Sequence, residues 1–181
     1  MAVATQVKRW TLEELHRLPD DGNKYELVRG ELFVTPPPDD EHETIAAKLS
    51  ELLTPYVREH GLGLVYRPRA VVRFDESEVE PDLMVRQPHP DRRGNDSDWD
   101  RAPIPVLVVE ILSAYTRRRD FNEKKRLYLD AGVAEYWIVD PEARTITVMK
   151  PGQPIRVEST QVIWSPTGAD LPLTFEVASI L

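Results

Sequence analysis

The stretch Pro105-Val106-Leu107-Val108-Val109-Glu110-Ile111-Leu112-Ser113 constrains the fold more than any other. An unbroken apolar run rich in β-branched residues, bounded by Pro103 and Pro105 at one end and Ser113 at the other, reads as a strand covered on both faces. Glu110 breaks that run. A carboxylate taken out of water costs several kcal/mol unless a cation or strong donors receive it. Either Glu110 turns off the strand end toward water or an arginine, or a dedicated partner waits for it.

The elements around this strand form a regular pattern. Thr11-Leu12-Glu13-Glu14 is a capping box that opens a short helix, stopped at Pro19. Tyr25–Val28 and Leu32–Val34 flank Arg29-Gly30-Glu31 and predict a hairpin with a tight glycine turn. Asp39 and Asp40 occupy the N-cap and first turn of a helix whose apolar residues Ile45, Leu49, Leu52, Leu53, Tyr56 and Val57 recur at helical spacing until Gly61. Strands are expected over 64–67, 70–74 and 80–85, with an acidic turn at 75–78 and a polar loop over 87–101. After Ser113 the periodicity becomes helical, capped by Thr116 and ended by Gly132. Glu135–Asp140 then pairs as a hairpin with Thr145–Met149, and short strands follow near 162–164 and 173–175. Strand, helix and strand from Val106 to Val139 make a β-α-β unit, whose outer strands run parallel.

With 181 residues and no internal repeat, the whole chain, 1–181, reads as a single α/β domain. No apolar run reaches the roughly 20 residues that span a bilayer, no signal-peptide core opens the chain, and cysteine is absent. A cytoplasmic protein with neither disulfides nor thiolate metal sites is the default expectation. A net charge of −8 excludes a protein that coats polyanions over its whole surface, so any contact with nucleic acid needs a local basic patch.

Asp82, entering one strand behind Pro81, and Glu110, near the end of another, can aim at one point. Two such carboxylates form a hard oxygen site of the kind Mg²⁺ or Mn²⁺ occupies. Asp120, Lys124 and Tyr128 follow at i, i+4, i+8 on one helix face. Taken alone, Asp120 and Lys124 make an exposed pair worth about 0.3–0.5 kcal/mol. Leu127 and Tyr128 turn that side toward the sheet, however, which brings Lys124 within reach of the carboxylates. A divalent ion between two acids and beside an ammonium suits phosphodiester hydrolysis. Arg117, Arg118, Arg119, Lys125 and Arg126, with Arg67, Arg69 and Arg73, supply either a phosphate-binding surface or an ordinary solvated one. His42, in a first helical turn, is a capping residue or a secondary site candidate.

These pieces carry a resemblance. Tyr25–Leu32, His42 with Ile45, Pro81-Asp82-Leu83, Val108–Ser113, Thr116-Arg117 with Asp120, Lys124 and Tyr128, and Gly132–Pro141 together resemble the Uma-two family of restriction-endonuclease-like proteins, relatives of the PD-(D/E)xK nucleases. The resemblance implies a restriction-endonuclease-like core: a mixed central β-sheet flanked by helices, with an N-terminal hairpin and C-terminal strands. It also implies an Mg²⁺-dependent (or Mn²⁺-dependent) DNA endonuclease in which Asp82 and Glu110 hold the metal, Glu31 completes its shell and Lys124 assists. The motif lysine would stand at position 112, which is leucine here, and Lys124 replaces it from the following helix. Two positions depart from the family pattern: Arg29 stands where an acid is frequent, and Ala114-Tyr115 where Pro-Ser is frequent. DNA is the implied partner, met by Arg117, Arg118, Arg119 and Lys125, with a two-fold homodimer suited to cutting both strands. The opposing reading is a nucleic-acid or protein-binding module that kept the fold without the chemistry.

Overall fold

The computed structural model describes residues 8–90, 102–113 and 115–181. Most of the loop expected over 87–101 lies outside the described residues, as does Ala114. A six-stranded mixed sheet forms the centre, in the order β10-β9-β8-β7-β6-β3. Its strands are β3 (Leu64–Tyr66), β6 (Leu83–Arg86), β7 (Leu107–Ile111), β8 (Tyr136–Asp140), β9 (Thr145–Met149) and β10 (Arg156–Glu158). Only β7 and β8 pair in parallel within it. The connection between them carries α3 (Arg117–Arg119), a π-helical turn (Asp120–Lys124) and α4 (Lys125–Asp130), completing the expected β-α-β unit.

A second sheet, ordered β2-β1-β5-β4, is antiparallel throughout. It contains β1 (Lys24–Val28), β2 (Glu31–Thr35), β4 (Val72–Phe74) and β5 (Ser77–Val79). The β1–β2 hairpin turns on Arg29 and Gly30, both at positive φ (50° and 85°), as a two-residue primed turn requires. The acidic turn expected at 75–78 is shorter than its composition suggested. Asp75, at φ 50°, and Glu76 make the turn, whereas Ser77 and Glu78 are buried in β5. Strands β11 (Gln161–Trp164) and β12 (Leu173–Glu176) pair separately near the C-terminus.

Two apolar layers cover the two faces of the central sheet. Helix α2 (Asp40–Glu59), N-capped by Asp39, packs Ile45, Leu49, Leu53 and Val57 on Leu83, Val85, Leu107, Val109 and Ile111. On the other face Met84, Val108, Tyr136 and Ile138 meet Leu127, Tyr128 and Val28. Strand alternation therefore assigns Glu110 to the side of Val108 and Leu112, under the helical crossover. The short α1 (Leu12–Leu15) carries the expected capping box. Thr116, in contrast, makes no side-chain cap; its hydroxyl accepts from the Ser113 N–H at 3.1 Å. Among the described residues no helix is long and apolar enough to cross a membrane.

One glycine is dictated by a close approach. Gly63 has φ 113°, and a Cβ there would lie 2.2 Å from the Arg86 carbonyl oxygen, a backbone atom that cannot swing aside. Gly63→Ala is expected to cost about 3 kcal/mol or more, since it adds strain to a clash. Urea unfolding of the variant against wild type measures this.

Candidate active site

The ladder between β6 and β7 pairs Leu83 with Val109, and its next step sets Asp82 opposite Glu110. Both carboxylates line a cleft of about 790 Å³, whose rim includes Pro36–Pro38, His42, Arg69 and Tyr115. Three donors fix Asp82. The Ile111 N–H donates to Oδ2 at 2.7 Å, His42 Nε2 lies 3.1 Å from the same oxygen, and the Lys24 ammonium donates to Oδ1 at 3.2 Å. Burial would raise this carboxyl, but Lys24 and His42 outweigh it and hold Asp82 well below the usual carboxylate range. His42 thus combines its first-turn position with a direct contact to Asp82. Burial opposes charging of the imidazole, and the Asp82 contact still leaves its pKa raised.

Glu110 is anchored from the opposite direction. Lys124 Nζ and Tyr128 Oη both donate to its Oε1 at 2.7 Å. Lys124 is fully buried and lies 2.7 Å from a second carboxylate, Glu26. It thus bridges β1 of the smaller sheet to β7 of the larger one. Glu26 also accepts the Glu80 N–H at 2.9 Å, and Arg119 stands 3.4 Å away. Burial pushes Glu26 up, yet Lys124, Lys24 and Arg119 hold it at about 2. Burial pushes Glu110 up to about 7; Lys124 opposes that rise, while Asp82 and Asp120 reinforce it.

The structure thus brings together Asp82, Glu110, Lys124, Tyr128 and Asp120, the last 4.0 Å from Lys124. It places other expected residues elsewhere. Glu31 begins β2 exposed, opposite Val28, away from the cleft. The acid of the hairpin that joins the cluster is Glu26, five residues earlier. Period-two alternation puts Lys24, Glu26 and Val28 on one face of β1, and that face meets Asp82, Lys124 and the inner core. A polar-polar-apolar triplet on the core side of a hairpin was the available signal.

Arg119, expected on a phosphate-facing surface, is instead buried against Glu26, Asp120 and the Thr35 hydroxyl. The π turn that follows it brings this side of the crossover inward. Arg73 is likewise buried on Glu78, at 2.9 Å from Nε. Arg117 reaches the cleft rim, bidentate on Asp140 at 2.7 and 3.0 Å. Arg118 and Arg126 are exposed, and Lys125 is half-buried.

The family model "Uma2: Putative restriction endonuclease" matches residues 12–178. The chain belongs to this family. The described fold is also similar to a solved structure from Anabaena variabilis ATCC 29413, titled "a putative nuclease belonging to DUF820". The TM-score is 0.78, with 21% identity over 94% of this chain and 97% of that one. At that identity the likeness speaks for the fold alone. No curated protein matches. The Uma2 family and the restriction-endonuclease-like α/β class expected from the sequence both stand.

Two predictions follow from this Uma2 cluster's charges. Lys124→Ala leaves two buried carboxylates without their shared cation and is expected to cost about 3–5 kcal/mol in urea unfolding. For Glu110 the folded carboxyl, near 7, lies above its ordinary 4.5. Between those values the folded state binds the extra proton, so stability falls as pH rises through that window and levels off above it. The fall from this group is about 3 kcal/mol. In EDTA, wild type should lose that increment between pH 5 and 7.5 relative to Glu110→Gln; parallel pH profiles for the two proteins would contradict it.

Proposed function

We propose that the protein is a nuclease that hydrolyses phosphodiester bonds of DNA, with Asp82 and Glu110 holding one divalent cation, Mg²⁺ or Mn²⁺. The observation that carries this reading is their placement: two carboxylates from adjacent strands, side by side at one cleft, each fixed by its own donors. The donor set fits such an ion. Mg²⁺ is commonly held by one or two carboxylates, with water and phosphate oxygens completing its shell. Among the described residues no group of three or more His, Asp or Glu side chains forms a complete cage. Water and substrate oxygens would complete the shell, and Glu31, exposed and outside the cleft lining, is not among the proposed ligands.

When bound there, a divalent ion lowers the pKa of water and offsets charge on phosphoryl oxygens. The chain's own groups do the rest. The Ile111 N–H and His42 orient Asp82, and Lys124 with Tyr128 fix Glu110 through one oxygen. Lys124 is a positioning residue in this scheme, because its ammonium is enclosed between Glu26 and Glu110. His42 lines the cleft with Nε2 on Asp82, and its Nδ1 is buried without a hydrogen-bond partner among the described residues. Arg117 on the rim and the exposed Arg118 would meet the phosphate backbone of a bound DNA. A two-fold dimer belongs to the same proposal, since it would present two clefts to two strands.

A binding module without hydrolysis is the competing reading, favoured by the Lys24 ammonium already sitting on Asp82. Supercoiled plasmid decides between them. Wild type with Mn²⁺ or Mg²⁺ should nick it, EDTA should stop nicking, and Glu110→Gln should lower the rate by at least about 100-fold. Plasmid left intact by wild type in either metal, with matching Mn²⁺ calorimetry for wild type and Glu110→Gln, would leave the binding module.

A further inference from the structure

The cluster contains two lysines, and they stand in different environments. Lys124 is fully buried, its Nζ within 2.7 Å of carboxylates on either side. It is not among the residues that line the cleft. Lys24 does line the cleft, with its side chain 19% exposed. Its Nζ donates to Asp82 Oδ1 at 3.2 Å and to the Glu80 carbonyl at 3.1 Å. An ammonium has three donors, so one remains for a ligand entering the cleft.

We propose that Lys24, rather than Lys124, is the lysine that touches the phosphate undergoing hydrolysis, a role that rests on the nuclease reading above and adds a catalytic residue to it. Lys124 is fully buried away from the cleft, whereas Lys24 lines it with a third N–H to offer. In the reaction the oxygen of water forms a bond to phosphorus and the bond from phosphorus to the sugar oxygen breaks. The attacking water loses a proton to solvent and the leaving oxygen gains one from it. Lys24 forms no covalent bond and transfers no proton; its charge receives the negative charge that gathers on the non-bridging oxygens.

The absence of cysteine makes a clean test possible, because Lys24→Cys places a single thiol in the cleft. Four results are expected. Lys24→Cys lowers plasmid nicking by about 100-fold or more. Alkylation with 2-bromoethylamine, which rebuilds an ammonium of nearly lysine length, restores nicking, and iodoacetamide does not. A short DNA duplex in Ca²⁺, at about ten times its Kd, slows alkylation of this thiol roughly tenfold, the limit set by mass action. The same duplex leaves the thiol of Ser159→Cys, exposed beyond β10, equally reactive.

If Lys24→Cys nicks at the wild-type rate, or the duplex does not protect its thiol, the role of Lys24 is overturned while wild-type nicking keeps the nuclease reading intact. If wild type itself does not nick, that reading fails and the catalytic role of Lys24 falls with it. Should Lys24→Cys not fold, the ¹⁵N side-chain resonances of the wild-type lysines replace it. A shift of Lys24 Nζ on titration with the duplex supports the proposal, and an unmoved Lys24 overturns it.

Discussion

The position of Lys124 between Glu26 and Glu110 is the contact on which the rest of the molecule depends. It is made in the interior, where bringing three charged groups out of water costs several kcal/mol for each ion. The attraction between them recovers that cost only with short distances and satisfied remaining lone pairs. The first condition holds, both contacts being 2.7 Å; the second is met where Tyr128 donates to Glu110 and the Glu80 N–H to Glu26 Oε1, while Glu26 Oε2 has, among the described residues, only the Arg119 guanidinium 3.4 Å away. Apolar residues of similar volume could serve stability as well. What they could not do is fix the hairpin sheet to the central sheet at one register and hold a carboxylate edge at the cleft.

The crossover between β7 and β8 is shaped to deliver that lysine. In an unbroken α-helix, residues four apart advance by about 40° around the axis, so Asp120, Lys124 and Tyr128 would fan out over about 80°. The π turn over Asp120–Lys124 is wider and takes up part of that advance. All three side chains are buried on the sheet side as a result. Poorer backbone hydrogen bonding is the cost of a π turn, and it is spent where the site is assembled.

Much of this organisation was legible in the sequence, for reasons that are local. Thr11 with Glu14, Asp39 ahead of α2, and Arg29-Gly30 each specify their own turn or cap through neighbours a few residues away. The run ending in Glu110 declared a covered strand, and its one carboxylate declared a partner. Contacts between sheets were not legible in the same way. Choosing Glu26 over Glu31 required knowing which face of β1 meets the centre, a property set by β5 and β6 rather than by the hairpin. Arg119 read as a surface cation because three consecutive arginines suggest a solvated stretch, but only Arg117 and Arg118 are exposed. The missing element was the π turn, which no residue type in 120–124 announces.

The same assembly explains how an acidic chain can present a cleft to a polyanion. Around the two cleft carboxylates the interior supplies Lys24, Lys124 and Arg119, so the acids face the cleft already partly neutralised. Low dielectric strengthens these pairs relative to the same charges on the surface, where salt would screen them. The buried acids Asp82, Glu110, Glu26 and Asp120 nearly balance these three cations, so most of the net charge of −8 sits outside the cluster. A phosphate entering the cleft would meet acids that already carry their own cations, and so less repulsion than bare carboxylates would give. That local balance rests on Lys24 near the mouth and Lys124 beneath, one ammonium accessible to a ligand and the other committed to holding the acids in place.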